Sequence, residues 1–252
     1  MVEFTRGRPD DPARDQDDLS GHTHRQLLGY IGLLLPALLV FMVIARDGMT
    51  RWRSLDSISA YYYTGAVVAF VGMLVSMALF LFTYRGYNNK YYWADRAAGI
   101  TAAIAALGVA VFPTKAPNGV LPLLWWTPTT RVLHYASAVV LFAMFAVFAL
   151  WLFRRTGSQV SPRKNRRNTV YLICGLLIVA SMIWAAIAGL NRRAIFWPES
   201  IALVAFAVSW LVKGEALKTI VDTARSVTRR GSTMKNGPTL NPTVSTTKVP
   251  LS

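Results

Sequence analysis

The chain has 252 residues, of which 54% are hydrophobic and 15% are charged, and its mean hydropathy is +0.37. This balance is far from that of a soluble domain and indicates that a lipid bilayer is the solvent. The net charge of +15 does not predict nucleic-acid binding, because the basic residues lie between apolar runs and in the C-terminal tail. A single cysteine, Cys174, excludes an intramolecular disulfide and a cysteine-based zinc site.

Apolar runs of about 20 residues, the length that a helix needs to cross a bilayer core of about 30 Å, recur along the chain. Residues 1–26 precede them and are too polar to form a core, so they predict a disordered tail. The runs lack the alternation of barrel strands, which predicts an all-α polytopic bundle of six transmembrane helices over residues 27–215. The predicted spans are 27–45, 60–83, 96–112, 131–153, 169–190 and 198–213.

The distribution of lysine and arginine predicts the orientation of these spans. With Lys213 at the end of the last span counted in the C-terminal tail, the two tails and the second and fourth connectors hold 19 of these residues, whereas the other three connectors hold 6. Cytoplasmic segments carry the excess of positive charge, so both termini are predicted to lie on the cytoplasmic side of a plasma membrane. Residues 216–230 carry an apolar stripe that predicts an amphipathic helix on the membrane surface, and residues 231–252 predict a second disordered tail.

Small and helix-breaking residues suggest how the spans pack. In the third span Ala98, Ala102, Ala106 and Ala110 form one row, and the fifth span has a similar row of small residues. Such rows allow helix backbones to approach closely, so the third and fifth spans are predicted to be neighbours. Pro36 predicts a bend in the first span because proline removes an amide donor.

Several polar residues lie near the predicted outer ends of the spans. Ionisable groups inside a membrane usually face the bundle interior or a wet cavity, which makes them candidates for function. We expect an outer-leaflet pocket for a lipid headgroup or a small polar ligand, lined by Asp56, Ser59, Thr114, His134 and Glu199. The structural alternative is that both carboxylates interact with helix N-terminal dipoles and that the histidine bridges two helices.

Two other functions are compatible with these residues. A membrane-embedded hydrolase could use His134 as a base together with a carboxylate and a serine. In a small-solute transporter, Pro36 and the glycines of the first span would interrupt that helix. No cofactor or metal is predicted, because phosphate-binding loops, dinucleotide fingerprints and a paired-histidine zinc motif are missing from the sequence.

The connector after the fourth span is strongly basic. Each positive charge near an anionic leaflet contributes about 1 kcal/mol to attraction, so this connector predicts contact with anionic lipid headgroups on the cytoplasmic side. A signal for topology alone is the alternative explanation. The candidate residues are Arg154, Arg155, Arg163, Lys164, Arg166 and Arg167.

Several short motifs stand at the ends of the predicted spans. They are Ser57-Ile58-Ser59-Ala60-Tyr61-Tyr62-Tyr63, Tyr84-Arg85-Gly86-Tyr87, Val111-Phe112-Pro113-Thr114, Leu133-His134-Tyr135, and Glu199 with Ser209-Trp210-Leu211-Val212-Lys213-Gly214. These motifs resemble those of bacterial six-helix membrane proteins in a domain-of-unknown-function family related to the Frag/DRAM/Sfk group. The resemblance covers about residues 27–215 and implies the six-helix fold in a bacterial inner membrane, without a particular reaction.

A second group, the ceramidase and progestin-receptor-like superfamily of membrane hydrolases, is similar in part. Its members use an intramembrane zinc held by three histidines, with a serine and an aspartate nearby. The nearest counterparts here are Ser59, His134 and Glu199. The three-histidine set is missing from this sequence, so the resemblance does not extend to the zinc mechanism.

Overall fold

The structure is a computed structural model that describes residues 12–53, 55–86, 90–155 and 162–216, with side chains from residue 21 onward except at 162 and 163. Every regular element in this part of the chain is helical. The elements are α1 (Pro12–Arg53), a 3₁₀ helix (Ile58–Tyr63), α2 (Val67–Thr83), α3 (Tyr92–Val111), α4 (Pro128–Val147) continued by a π-helical turn (Phe148–Leu152) and a 3₁₀ turn (Phe153–Arg155), α5 (Pro162–Leu190) and α6 (Phe196–Lys213).

Within the described residues, five helices are long and apolar enough to cross a membrane. The chain is therefore built as a multi-pass membrane protein, as its composition predicted. Helix α2 is apolar but has 17 residues, about 25 Å at 1.5 Å per residue, which is at the short limit for a span. The count of six spans and the side on which each terminus lies remain predictions. The five long segments are Gly21–Arg53, Tyr92–Val111, Pro128–Arg155, Lys164–Leu190 and Phe196–Lys213.

Helix α1 begins much earlier than the sequence predicted. Residues 12–26, assigned to a disordered tail, are helical, while residues 1–11 lie outside the described part. Tertiary contacts hold the residues just before the first apolar run: His24 bonds the Phe80 carbonyl at 2.7 Å, and Gln26 donates to the Gly214 carbonyl at 2.8 Å. The helix continues through Pro36, where the predicted bend stays a prediction, and it has non-helical backbone at Gly48.

The predicted second span is divided into two pieces. Its first residues form the 3₁₀ helix Ile58–Tyr63, which Ser57 caps by accepting the Ala60 amide at 3.1 Å. Thr64 then takes an extended backbone conformation, and its hydroxyl donates to the Tyr61 carbonyl at 2.8 Å. This turn separates the 3₁₀ helix from α2, so the polar stretch before α2 folds over the end of the bundle.

The six α-helices form a closed ring in chain order. Each helix packs against its neighbours in the sequence, and α1 closes the ring against α6. The predicted pairing of the third and fifth spans is wrong, because α3 lies between α2 and α4 while α5 packs on α6 and α4. A Cβ on Gly99 of α3 would come within 2.9 Å of the Leu81 carbonyl oxygen, and one on Gly108 would collide with Ser137 of α4. The small residues therefore serve contacts with adjacent helices.

Aromatic side chains fill the middle of this ring. Phe145 of α4 stacks on Phe206 of α6, and Trp210 is completely buried among Tyr84, Phe148 and other rings. The packed interior separates two polar ends. We call them the Ser59–His134 end, where the 3₁₀ helix meets α4 and α6, and the Lys213 end, where α6 finishes beside the beginning of α5.

The last predicted segments fall largely outside the described part of the chain. The amphipathic helix predicted for residues 216–230 has only its first residue, Ala216, among those described. The tail predicted for residues 231–252 lies beyond it.

Candidate functional site

His134 lies at the centre of the Ser59–His134 end and is completely buried. Its position follows from the start of α4, where Thr127 and Thr130 cap each other: the Thr127 hydroxyl accepts the Thr130 amide at 3.1 Å, and the Thr130 hydroxyl accepts the Thr127 amide at 2.9 Å. Pro128 at the first helical position reinforces this start. His134 is thereby held on the second turn, facing the bundle interior.

Both ring nitrogens of His134 have hydrogen-bond partners. Nδ1 lies 2.7 Å from the Phe112 carbonyl oxygen, and Nε2 lies 2.8 Å from Ser59 Oγ. A carbonyl oxygen only accepts, so Nδ1 carries the hydrogen and donates to Phe112. In the neutral imidazole Nε2 is then an acceptor, and the Ser59 hydroxyl donates to it. The backbone of residue 112 therefore orients a serine–histidine pair.

Ser59 reaches His134 because of the 3₁₀ helix that follows Ser57. It is buried, with 7% of its surface exposed, and the segment that carries it is held against α6. The Glu199 Oε2 atom accepts the Ile58 amide at 2.7 Å, and the Asp56 carbonyl accepts the amides of Ile195 and Phe196 at 2.7 and 2.9 Å. Segment 56–58 and the start of α6 thus bond to each other in both directions.

The structure gives the two carboxylates of the predicted pocket different places. Glu199 is half-buried in the first turn of α6 and binds a backbone amide next to Ser59. The Asp56 side chain is exposed, and its residue contributes a main-chain carbonyl instead. The role of the Asp56 carboxylate in the predicted pocket stays a prediction. The orienting group of the histidine is a carbonyl rather than a carboxylate.

Thr114 lies at the same end and forms hydrogen bonds with two tyrosines that were not predicted as site residues. It is buried; its hydroxyl donates to the Tyr135 hydroxyl at 3.2 Å, and its carbonyl accepts from the Tyr63 hydroxyl at 2.7 Å. Tyr63, Tyr135 and the Phe112 carbonyl are additional members of this network. Tyr135 follows His134 directly in the sequence, so its place in this network could have been predicted from the sequence. The role of the Phe112 carbonyl could not, because every residue has a main-chain carbonyl.

The residues predicted to contact lipid headgroups lie at the Lys213 end and differ in their exposure and in their partners. Arg155 is exposed and donates to the Tyr91 hydroxyl at 3.2 Å, a contact that lowers the pKa of this phenol. Arg154 and Arg166 are also exposed, and Lys164 is half-buried. Arg167 forms an ion pair with Glu215 at 2.8 Å. The side chain of Arg163 lies outside the described part.

A scan against protein-family models, a search of curated proteins and a search of solved structures each gave no match. The resemblances to the two membrane-protein families stay predictions.

The chemistry available at the Ser59–His134 end is hydrogen bonding and proton acceptance. Among the described residues, no group of three or more histidine, cysteine, aspartate or glutamate side chains is arranged to hold a metal ion. The Glu199 carboxylate and the His134 imidazole bond adjacent residues, at the Ile58 amide and the Ser59 hydroxyl, without a bond between Glu199 and the imidazole. This is a polar cluster at one end of an apolar helical bundle.

Proposed function

We propose that this chain is a six-span membrane protein that binds a lipid headgroup or a small polar ligand at its Ser59–His134 end. The observation that carries the proposal is the contact of Ser59 Oγ with His134 Nε2 at 2.8 Å, between a 3₁₀ helix and a transmembrane helix. Buried polar side chains in a bilayer are expensive to keep and are commonly found where a protein handles a polar partner.

The irregular backbone at this end supports the same proposal. Non-helical chain near membrane depth is tolerated where it is buried in protein or lines a cavity. Here the 3₁₀ helix Ile58–Tyr63 and the loop 112–127 replace regular helix, and half-buried Tyr62, Tyr63 and Glu199 border the buried pair. A headgroup that replaces one of these internal hydrogen bonds would meet donors and acceptors already held in place.

Photo-crosslinking tests this proposal with a position-specific readout. The full chain is reconstituted with phosphatidylethanolamine carrying a photoreactive headgroup, and the adducts are mapped by peptide mass spectrometry. We expect adducts on residues 57–63 and 130–135, reduced about threefold to tenfold in Ser59→Ala and His134→Gln because a ligand hydrogen bond is lost.

The matched control for Ser59→Ala is Ser76→Ala, which removes a hydroxyl that donates to the Gly72 carbonyl of its own helix at 2.8 Å. It should leave the adduct pattern unchanged. Adducts spread evenly over the lipid-facing helices, or a pattern that Ser59→Ala and His134→Gln do not alter, would contradict the proposal.

A second candidate function, ester hydrolysis, is favoured by the tautomer of His134. With Nδ1–H held by the Phe112 carbonyl, Nε2 is positioned to take the Ser59 proton, the arrangement of a nucleophile with its base. Ser59 Oγ would attack an ester carbonyl, His134 would pass the proton to the departing alcohol, and water would then release the acid by the same route in reverse.

A fluorophosphonate probe separates hydrolysis from binding. Hydrolysis requires that the probe phosphonylate Ser59 in the folded protein, with no labelling in Ser59→Ala and a loss of about a hundredfold or more in His134→Gln, the usual contribution of a general base. Ser76→Ala should label normally. If the wild-type protein stays unlabelled while the headgroup adducts form, binding without reaction is the function.

The predicted orientation is tested by a pair of asparagines that are both exposed, Asn118 in the loop before α4 and Asn165 at the start of α5. In intact cells a membrane-impermeant maleimide should label Asn118→Cys and not Asn165→Cys. The native Cys174 is buried and gives little background. The reverse labelling would place the Ser59–His134 end on the cytoplasmic side.

A further inference from the structure

The loop between α3 and α4 is apolar along most of its length. Residues 116–130 contain no charged side chain, and Lys115 and Arg131 stand on either side of them. Three large apolar side chains of this loop are exposed: Leu121 at 88%, Leu124 at 106% and Trp125 at 46%. A cluster of exposed apolar side chains marks a contact with a membrane, a ligand or another protein.

Other residues of the loop hold it on the bundle. Leu123 and Trp126 are half-buried. The Tyr63 hydroxyl donates to the Thr114 carbonyl at 2.7 Å and is also in contact with the Leu123 main chain. The loop is therefore fixed beside the 3₁₀ helix that carries Ser59, while its three exposed apolar side chains stay uncovered by the bundle.

The backbone of the loop suits a place with little water. Two turns satisfy part of it internally: the Val120 amide donates to the Pro117 carbonyl at 3.1 Å, and the Trp126 amide donates to the Leu123 carbonyl at 2.9 Å. An irregular segment of this kind fits the interfacial layer rather than the hydrocarbon centre, because water and headgroups there can bond the remaining main-chain groups. Four prolines further reduce the number of amide donors, and they are Pro113, Pro117, Pro122 and Pro128.

The loop connects two surfaces that face lipid. Helices α3 and α4 are both long and apolar enough to cross a membrane. Val111 at the end of α3 is 52% exposed, and Val132 near the start of α4 is 59% exposed. The bilayer that covers these positions is the nearest apolar partner for the loop between them. Trp125 fits the same place, because tryptophan is enriched at membrane interfaces, where its ring meets lipid and its N–H meets water or headgroups.

We propose that the α3–α4 loop inserts Leu121, Leu124 and Trp125 into the membrane interface beside the Ser59–His134 end. Its partner is the lipid bilayer, at the boundary between headgroups and acyl chains. Since Tyr63 ties the loop to the 3₁₀ helix, the loop fixes the depth of that end in the membrane. The proposal does not depend on a ligand or a reaction at the Ser59–His134 end.

The test measures what surrounds a fluorescent nitrobenzoxadiazole label at Leu124→Cys, in the full chain with Cys174→Ala and reconstituted in nanodiscs. One quencher is phosphatidylcholine with a nitroxide high on its acyl chain, and the other is aqueous iodide. We expect the nitroxide lipid to reduce the emission about twofold or more, because interfacial side chains lie about 5–10 Å into the boundary of headgroups and acyl chains. Iodide should have little effect.

Two reference positions calibrate the quenching. Val139→Cys, on the exposed face of α4, should respond to the nitroxide lipid, and Asn165→Cys, exposed at the start of α5, should respond to iodide. Leu121→Cys repeats the measurement at a second position of the loop. Quenching of the loop labels by iodide alone would overturn the proposal, because the loop would then stand in water. Protection from both quenchers would also overturn it, since a second copy or another protein would then cover the loop.

Discussion

The two ends of the bundle hold their polar side chains by different kinds of interaction. At the Ser59–His134 end the contacts join hydroxyls, an imidazole and main-chain groups, and a backbone carbonyl selects the histidine tautomer. At the Lys213 end the polar groups are ionic: Arg25, Asp95 and Lys213 are buried, and Arg167 pairs with Glu215 at 2.8 Å. The first end is held by neutral hydrogen bonds, whereas the second is held by interactions between charged groups.

The two ends are therefore expected to respond differently to salt and to the loss of one side chain. Uncharged hydrogen bonds depend on distance and angle and are little affected by salt, while exposed ion pairs are screened by it. Loss of one partner in a buried ionic cluster leaves an uncompensated charge, which costs more than the loss of one neutral hydrogen bond. The comparison is tested by removing one matched group at each end.

The largest effect is expected from Asp95→Asn at the Lys213 end. This change keeps the shape of the side chain but removes a buried negative charge that interacts with the buried Lys213, and it should lower the free energy of unfolding by about 3–5 kcal/mol. The measurement is unfolding in mixed detergent micelles. Asp56→Asn is the control, because this side chain is exposed and its change should stay within about 0.5 kcal/mol. Equal losses in the two variants would refute the contrast.

An intermediate effect is expected for the neutral pair. A double-mutant cycle with Ser59→Ala and His134→Gln should give a coupling free energy of about 1–2 kcal/mol, because the two side chains share one buried hydrogen bond. The same cycle with Ser76→Ala in place of Ser59→Ala should give about zero. The coupling is read from unfolding in micelles at two salt concentrations, and a strong dependence on salt would argue against a neutral pair.

The smallest effect is expected for the partly exposed ion pair. Glu215→Gln should reduce the free energy of unfolding by about 0.5–1 kcal/mol at low salt, because the Arg167–Glu215 contact at 2.8 Å is half-buried. Raising the salt concentration should diminish the difference from wild type. A loss of the same size at high salt would mean that Glu215 acts through packing rather than charge.

Part of the site could be predicted because a helical membrane protein has only two ends. Once the spans were located, Ser59, His134 and Glu199 had to lie at the same end, and the structure places them there. Which atoms meet could not be predicted. The rotation of α4 about its axis, the 3₁₀ helix that carries Ser59 and the position of the Phe112 carbonyl are results of packing.

The helix boundaries, too, could be predicted only in part. The apolar runs located the helices, but α1 extends back to Pro12 and α2 begins only at Val67. Contacts of His24 and Gln26 hold the residues just before the first apolar run, and the turn at Thr64 separates the 3₁₀ helix from α2. The alanine row of the third span was correctly read as a close-packing surface, and its partner was not. Spacing within one helix does not specify which other helix fills the row.

The sequence by itself determined the solvent and the class of fold, because long apolar runs must satisfy their backbone groups within helices and basic residues collect between them. Only the tertiary structure decided the closed ring of helices, the Ser59–His134 contact and the burial of Arg25 with Lys213. The physical reason is range: hydropathy and backbone hydrogen bonding act along the chain, whereas tautomers, pairing and charge balance depend on atoms from distant helices that meet within a few ångströms.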